Sequence, residues 1–250
     1  MTGQRMMKVI GALVALLATP VAVVACTVPP ADRVPTVASG DLQSDIAKRL
    51  SDAGVQPQSV NCAGDLVGEV GQTARCEVVI GPTNSFEPIV LVTAVDGATI
   101  DYQMTPALSK GQLERAVSRL LADREELAAA AVACPAGLVG RTGAQTRCDV
   151  TVDGATVRRT AEVTEVEGLM MTFDVIPILT RVEVEGSLLG ELTQQLGRRP
   201  DSAECAGDLE GRPGNTVECT VAVWPASAVF VLTVTAVDGQ HIDYTYARRE

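Results

Sequence analysis

Six cysteines fall in three pairs, Cys62 and Cys76, Cys134 and Cys148, and Cys205 and Cys219, each pair 14 residues apart, and a seventh stands alone at Cys26. Clustered thiols bond to one another or hold a metal. Zinc is disfavoured, because no C-x-x-C spacing occurs and the chain has a single histidine, His241. A Ser-His-Asp triad would likewise have only His241 to use. Covalent bridging is what remains. The first cysteines of successive pairs lie 72 and 71 residues apart, and a unit written three times favours pairing inside each unit: Cys62–Cys76, Cys134–Cys148 and Cys205–Cys219.

Other reactive constellations are missing. No G-x-S-x-G nucleophile turn and no phosphate-binding Gly-rich loop with Lys before Ser or Thr is present. His241 aligns with Thr99 and Met170 in the other units, so it reads as a strand side chain. Asp65 and Asp208 recur in two units, as do Asp101 and Asp243; the first two are expected to hydrogen-bond a turn and the second two to end a solvated strand. Trp224, the only Trp, precedes Pro225 and is expected to pack in the core; were it exposed, it would be the candidate partner contact. No catalytic residue, metal ligand or cofactor site is expected.

The elements that carry these cysteines repeat with them. The bridged segments read CAGDLVGEVGQTARC, CPAGLVGRTGAQTRC and CAGDLEGRPGNTVEC, and downstream TAVDGATIDY, TEVEGLMMTF and TAVDGQHIDY align through Gly97, Gly168 and Gly239. Ahead of each lies a helical pattern: Leu42, Ile46, Leu50 and Ala53 before Gly54; Leu113, Val117, Leu120 and Leu121 behind a Ser109–Gln112 capping spacing, running to about Leu127; and Leu188, Leu192 and Leu196 before Gly197. The rest alternates as strands, one entering the first Cys, one leaving the second, and two around the Asp-Gly or Glu-Gly turn. The predicted fold is α+β: three tandem copies of a small domain with a helix on a four-stranded antiparallel sheet, one disulfide each. Repeat 1 spans residues 41–104, repeat 2 residues 105–177 and repeat 3 residues 178–250. The loops GPTNSFEP and WPASA, present in the first and third copies only, are the expected seats of copy-specific function. Units of this size bury little apolar surface, and closing a 15-residue loop adds roughly 3 kcal/mol in the chain-entropy picture.

The amino terminus sets the address. Arg5 and Lys8 precede an apolar run from Val9 to Ala25, the layout of a secretory signal, and Val23-Val24-Ala25-Cys26 resembles the bacterial lipobox. That resemblance implies cleavage of residues 1–25 and acylation of Cys26. Residues 26–40, with three prolines after the cysteine, then form an extended tether. The whole chain carries a net charge of −11, and losing Arg5 and Lys8 leaves the exported chain more negative still. Such a surface repels nucleic acid. Arg outnumbers Lys by 17 to 3, as in proteins from GC-rich actinobacteria.

The recurrent C…DL…G…C…VDG…Y pattern behind a lipobox resembles the actinobacterial domain of unknown function 4333, and all three copies carry it. The resemblance implies a disulfide-bonded α+β module in the cell envelope and brings no reaction or ligand. The second copy departs, with Pro135-Ala136-Gly137 in place of Ala-Gly-Asp and Glu167 in place of Asp. The expected protein is a noncatalytic lipoprotein on the extracytoplasmic face of the cell membrane, held by lipid at Cys26, whose domains bind or space envelope proteins or glycans. A carrier of a small apolar ligand or lipid is the alternative, with the alanine run at residues 128–131 as its only hint, and an enzyme of unknown class is third.

Overall fold

A computed structural model describes residues 34–125, 131–239 and 241–249. Repeat 1 runs β1 (Thr36–Val37), α1 (Ser39–Asp52), β2 (Ser59–Cys62), β3 (Leu66–Val67), β4 (Thr73–Gly81), β5 (Asn84–Phe86), β6 (Ile89–Asp96) and β7 (Thr99–Thr105). Repeat 2 follows with β8 (Ala107–Leu108), α2 (Lys110–Glu125), β9 (Ala131–Ala133), β10 (Leu138–Val139), β11 (Gln145–Val152), β12 (Ala155–Glu167) and β13 (Met170–Leu179). Repeat 3 has α3 (Arg181–Leu196), β14 (Ser202–Cys205), β15 (Leu209–Glu210), β16 (Thr216–Val223), β17 (Ala226–Asp238) and β18 (His241–Arg248). The class is α+β, and every strand pair among the described residues is antiparallel.

Each helix buries one stripe against its sheet: Leu42, Ile46 and Leu50 in α1, Leu113, Val117 and Leu121 in α2, and Val184, Leu188 and Leu192 in α3. These triplets lie 71 residues apart throughout. The third stripe therefore sits one turn earlier than the sequence pattern places it, and Leu196 is 55% exposed. Alternation carries Ala74, Cys76 and Val78 of β4, and Val217, Cys219 and Val221 of β16, to the same inner face. The bridges thus lie within the cores. Cys62 stands opposite Cys76, and Cys205 opposite Cys219, in register, and all three bonds are made: Cys62–Cys76, Cys134–Cys148 and Cys205–Cys219.

Two features correct the sequence reading. Residues 35–40, read as tether, belong to the first repeat, because β1 pairs with β3 and α1 begins at Ser39. The D-L-x-G stretch is likewise a strand and not only a turn. In every copy a proline precedes the helix and its carbonyl accepts the N–H of a recurrent glycine: Pro35 from Gly68 at 2.7 Å, Pro106 from Gly140 at 2.7 Å, and Pro177 from Gly211 at 2.8 Å. A Cβ at Gly68 would sit 2.7 Å from the Pro35 oxygen, so the close approach excludes a side chain.

This pairing also joins repeats 2 and 3. At the second junction the closing strand β13 runs through Pro177 and its end pairs with β15 of repeat 3, whereas β8, which follows Pro106, pairs with β10 inside repeat 2 as β1 pairs with β3 inside repeat 1. β15 thereby extends the sheet of the second repeat to five strands, in the order β15-β13-β12-β11-β9. At the second junction Arg147 and Arg158 approach Asp208 at 3.8 and 3.7 Å, Arg212 pairs with Glu162, and Thr160 donates to Glu210 at 3.0 Å. Individually such half-exposed pairs contribute little, but together they fix the junction's register.

Candidate functional site

Asp65 and Asp208 cap the helices of their repeats. In α1 the N-cap residue is Ala38, which has no side-chain oxygen to offer, and Asp65 instead accepts the Ser39 N–H at 2.8 Å. Asp208 accepts the Arg181 N–H at 2.9 Å and reinforces the Thr180–Glu183 capping box of α3. Repeat 2 cannot follow suit, because a Cβ at Gly137 would run into the Leu108 carbonyl. There Gln112 accepts the Ser109 N–H at 2.9 Å. His241 is exposed beside Asp243, with Nε2 3.1 Å from Oδ1. No group of three His, Cys, Asp or Glu side chains among the described residues could hold a metal ion.

Trp224 does not pack in the core. The residue is 80% exposed at the β16–β17 turn, with its backbone N–H donating to Asp201 at 2.7 Å. The other copy-specific loop has the opposite fate. Phe86 is buried in the first core, Ser85 Oγ accepts from Gln112 at 3.1 Å, and Thr83 Oγ1 accepts from Arg119 at 3.1 Å, so the first-repeat loop is docked on α2.

That docking closes one wall of a cleft of about 310 Å³ between repeats 1 and 2. Ile80 and Phe86 come from the first sheet, Pro106 and Leu108 from the junction, Ala116 and Leu120 from α2, and Met170, Met171 and Phe173 from the second hairpin. Asn84, Ser85 and Arg119 are its polar lining, and no carboxylate lines it. The hairpin tip is inserted, since Leu169 is 7% exposed and packs into the core of repeat 1.

A comparison between copies explains why the cleft lies there. In repeat 1 Tyr102 Oη donates to Asp45 Oδ2 at 2.9 Å, bridging sheet to helix, and burial followed by that hydrogen bond and the Asp45 charge pushes its phenol up to about 12. In repeat 3 Tyr244 and Ser187 are 2.6 Å apart at the same positions; burial raises the Tyr244 pKa, while the Ser187 contact opposes the shift. In repeat 2 these positions hold Phe173 and Ala116, and both line the cleft. The polar latch is absent there and apolar surface stands in its place. No sequence signal short of aligning all three helices would have found it. The remaining sequence expectations for small core residues, at 128–130, lie outside the described residues, as does Cys26.

Tandem helix-and-sheet units, each stapled by one disulfide and packed directly on the next, define the class of this protein. The chain belongs to the family described as Domain of unknown function (DUF4333), whose profile matches residues 21–97 and 90–168. Repeat 3 lies beyond both matches but carries the same cysteine, glycine and proline positions. No curated protein and no solved structure matches the chain. Among the described residues no helix is long and apolar enough to cross a membrane.

Proposed function

We propose that this is a noncatalytic lipoprotein of the cell envelope, held on the extracytoplasmic face of the membrane by acyl chains on Cys26, in which three abutting domains form a stiff spacer that binds or spaces envelope proteins or glycans. The observation that carries the reading is that both junctions are packed, Leu169 of repeat 2 sitting in the core of repeat 1 and the end of β13 pairing with β15 of repeat 3, together with the lipobox-like sequence ahead of the first repeat. The inserted Leu169 at the first junction and the shared strand at the second oppose hinge motion, which suits a spacer. The acidic surface disfavours nucleic acid as a partner, and the Arg-rich composition fits an actinobacterial source. Exposed Trp224 is the side chain best suited to anchor a protein or glycan at the far repeat.

Cys26→Ala tests the anchor. The wild-type chain is expected in the membrane fraction and the variant in the soluble exported fraction; membrane retention of the variant would remove the lipoprotein reading. A second reading, a carrier of a small apolar ligand, is favoured by the cleft at the first junction.

A further inference from the structure

We infer that the cleft between repeats 1 and 2 binds a single-chain anionic amphiphile, a free fatty acid, with its acyl chain among Phe86, Leu120, Met170 and Phe173 and its carboxylate on Arg119. The inference rests on the carrier reading and names its ligand.

Three observations carry it. First, the apolar lining is specific to this junction. Ala116, Arg119 and Leu120 of α2 correspond to Asp45, Lys48 and Arg49 in α1 and to Ser187, Gly190 and Glu191 in α3, and Met170 corresponds to His241. The depression at the second junction, about 830 Å³, is instead lined in part by Arg159, Asp174, Asp238 and His241. At two of these three helix positions the polar residues of the other copies, Asp45 and Arg49, Ser187 and Glu191, give way to Ala116 and Leu120, and some of the apolar surface so made borders open space.

Second, the charge is complementary to an anion. Arg119 is the only ionisable side chain among the described residues that line the cleft, in a chain of net charge −11. Its Nη1 donates to Thr83 at 3.1 Å, which orients a planar fork suited to a carboxylate. Asn84 and Ser85 add polar groups at the same wall.

Third, the size and texture fit. About 310 Å³ lies at the small end of ligand pockets, which run roughly 300–1,000 Å³, and suits a single acyl chain. Methionine side chains adapt to a flexible chain, and two of the six line this cleft.

The test uses the exported Cys26→Ala chain, with the methionine methyl resonances followed by NMR during titration with decanoate and, separately, with decanol. Decanoate should shift the Met170 and Met171 methyls saturably. Arg119→Gln should weaken decanoate roughly tenfold, the loss of one charge-assisted contact, and leave decanol unchanged. Ala116→Phe should abolish both. Arg119 is on the surface side of α2, so the Gln variant keeps the proposal testable if the Phe variant does not fold. Equal binding of decanol and decanoate, indifferent to Arg119→Gln, would overturn the fatty-acid assignment and leave the carrier reading standing. Absence of any saturable shift with either probe would overturn both.

Discussion

The Glu114 carboxylate accepts the backbone N–H of Cys134 at 2.9 Å, so helix α2 is pinned to the first cysteine of its own disulfide. Glu185 does the same for Cys205 at 2.9 Å, again 20 residues apart. The helix, the bridge and the sheet of each unit are therefore one construction: the disulfide ties two strands, and the glutamate ties the helix to them. Repeat 1 has Gln43 at this position, whose amide oxygen has the same acceptor chemistry.

Glu185→Ala should destabilise the third repeat by about 1–3 kcal/mol, because it leaves the part-buried Cys205 N–H without its partner. Glu185→Gln should keep most of the stability, since acceptance and not charge is what the N–H requires. Denaturant unfolding of the two variants separates these outcomes. Equal losses would mean that the contribution is the charge near the helix and not the hydrogen bond.

The tyrosine latch makes stability fall at alkaline pH. A phenol raised from 10 to about 12 in the folded chain, as Tyr102 is, prefers its protonated form there. Its contribution is fully present below pH 10 and is lost as the pH rises towards about 12. Tyr102→Phe should remove this component of the alkaline dependence and lower stability at neutral pH by about 0.5–1.5 kcal/mol, the net value of one hydrogen bond. Ultraviolet titration should show one phenol fewer in the late-titrating class, and a variant with an unchanged alkaline profile would assign the loss elsewhere.

Cysteine spacing made the repeats legible because a covalent constraint needs fixed partners, and the buried stripes of α1 and α2 followed from apolar residues recurring every three or four positions. The α3 stripe slipped by a turn because Leu188, Leu192 and Leu196 make as good a pattern as Val184, Leu188 and Leu192, and only contact with the sheet distinguishes them. Trp224 was misread for a related reason. Composition says that an aromatic is usually covered, but nothing local says that a turn between β16 and β17 projects into solvent. The cleft was invisible for a deeper one: it is made by surfaces of two copies, and no single copy's pattern contains it. Its trace in the sequence is the loss of the Asp45 and Tyr102 types at Ala116 and Phe173.

Gly140→Ala should be more damaging than a substitution at an open glycine such as Gly186. A Cβ at Gly140 would lie 2.5 Å from Pro106 Cγ and 2.7 Å from its carbonyl oxygen, whereas one at Gly186 meets nothing within 4 Å. The first substitution pushes β8 from β10 where repeat 2 begins and should cost about 1–3 kcal/mol by overpacking. The second sits within α3, where exchanging Gly for Ala should stabilise by about 0.4–1 kcal/mol. Thermal unfolding of the two variants should move in opposite directions, and a shared sign would show that the proline contact does not set the β8–β10 pairing.

Leu169 makes the sharpest prediction about how the repeats cooperate. It belongs to the second repeat by sequence and to the first by packing, buried with Leu50, Val90 and Val92. Leu169→Ala should therefore cost about 2–5 kcal/mol, a core truncation, despite its place beside a hairpin turn. The loss should appear in the wrong repeat: amide exchange should speed up in α1 and β6, while the Cys134–Cys148 region keeps its protection. If repeats 1 and 2 unfold together in the wild type, the variant should separate them into two transitions, because the plug that couples their cores is gone. Exchange confined to β12 and β13 would mean that the tip serves only its own hairpin.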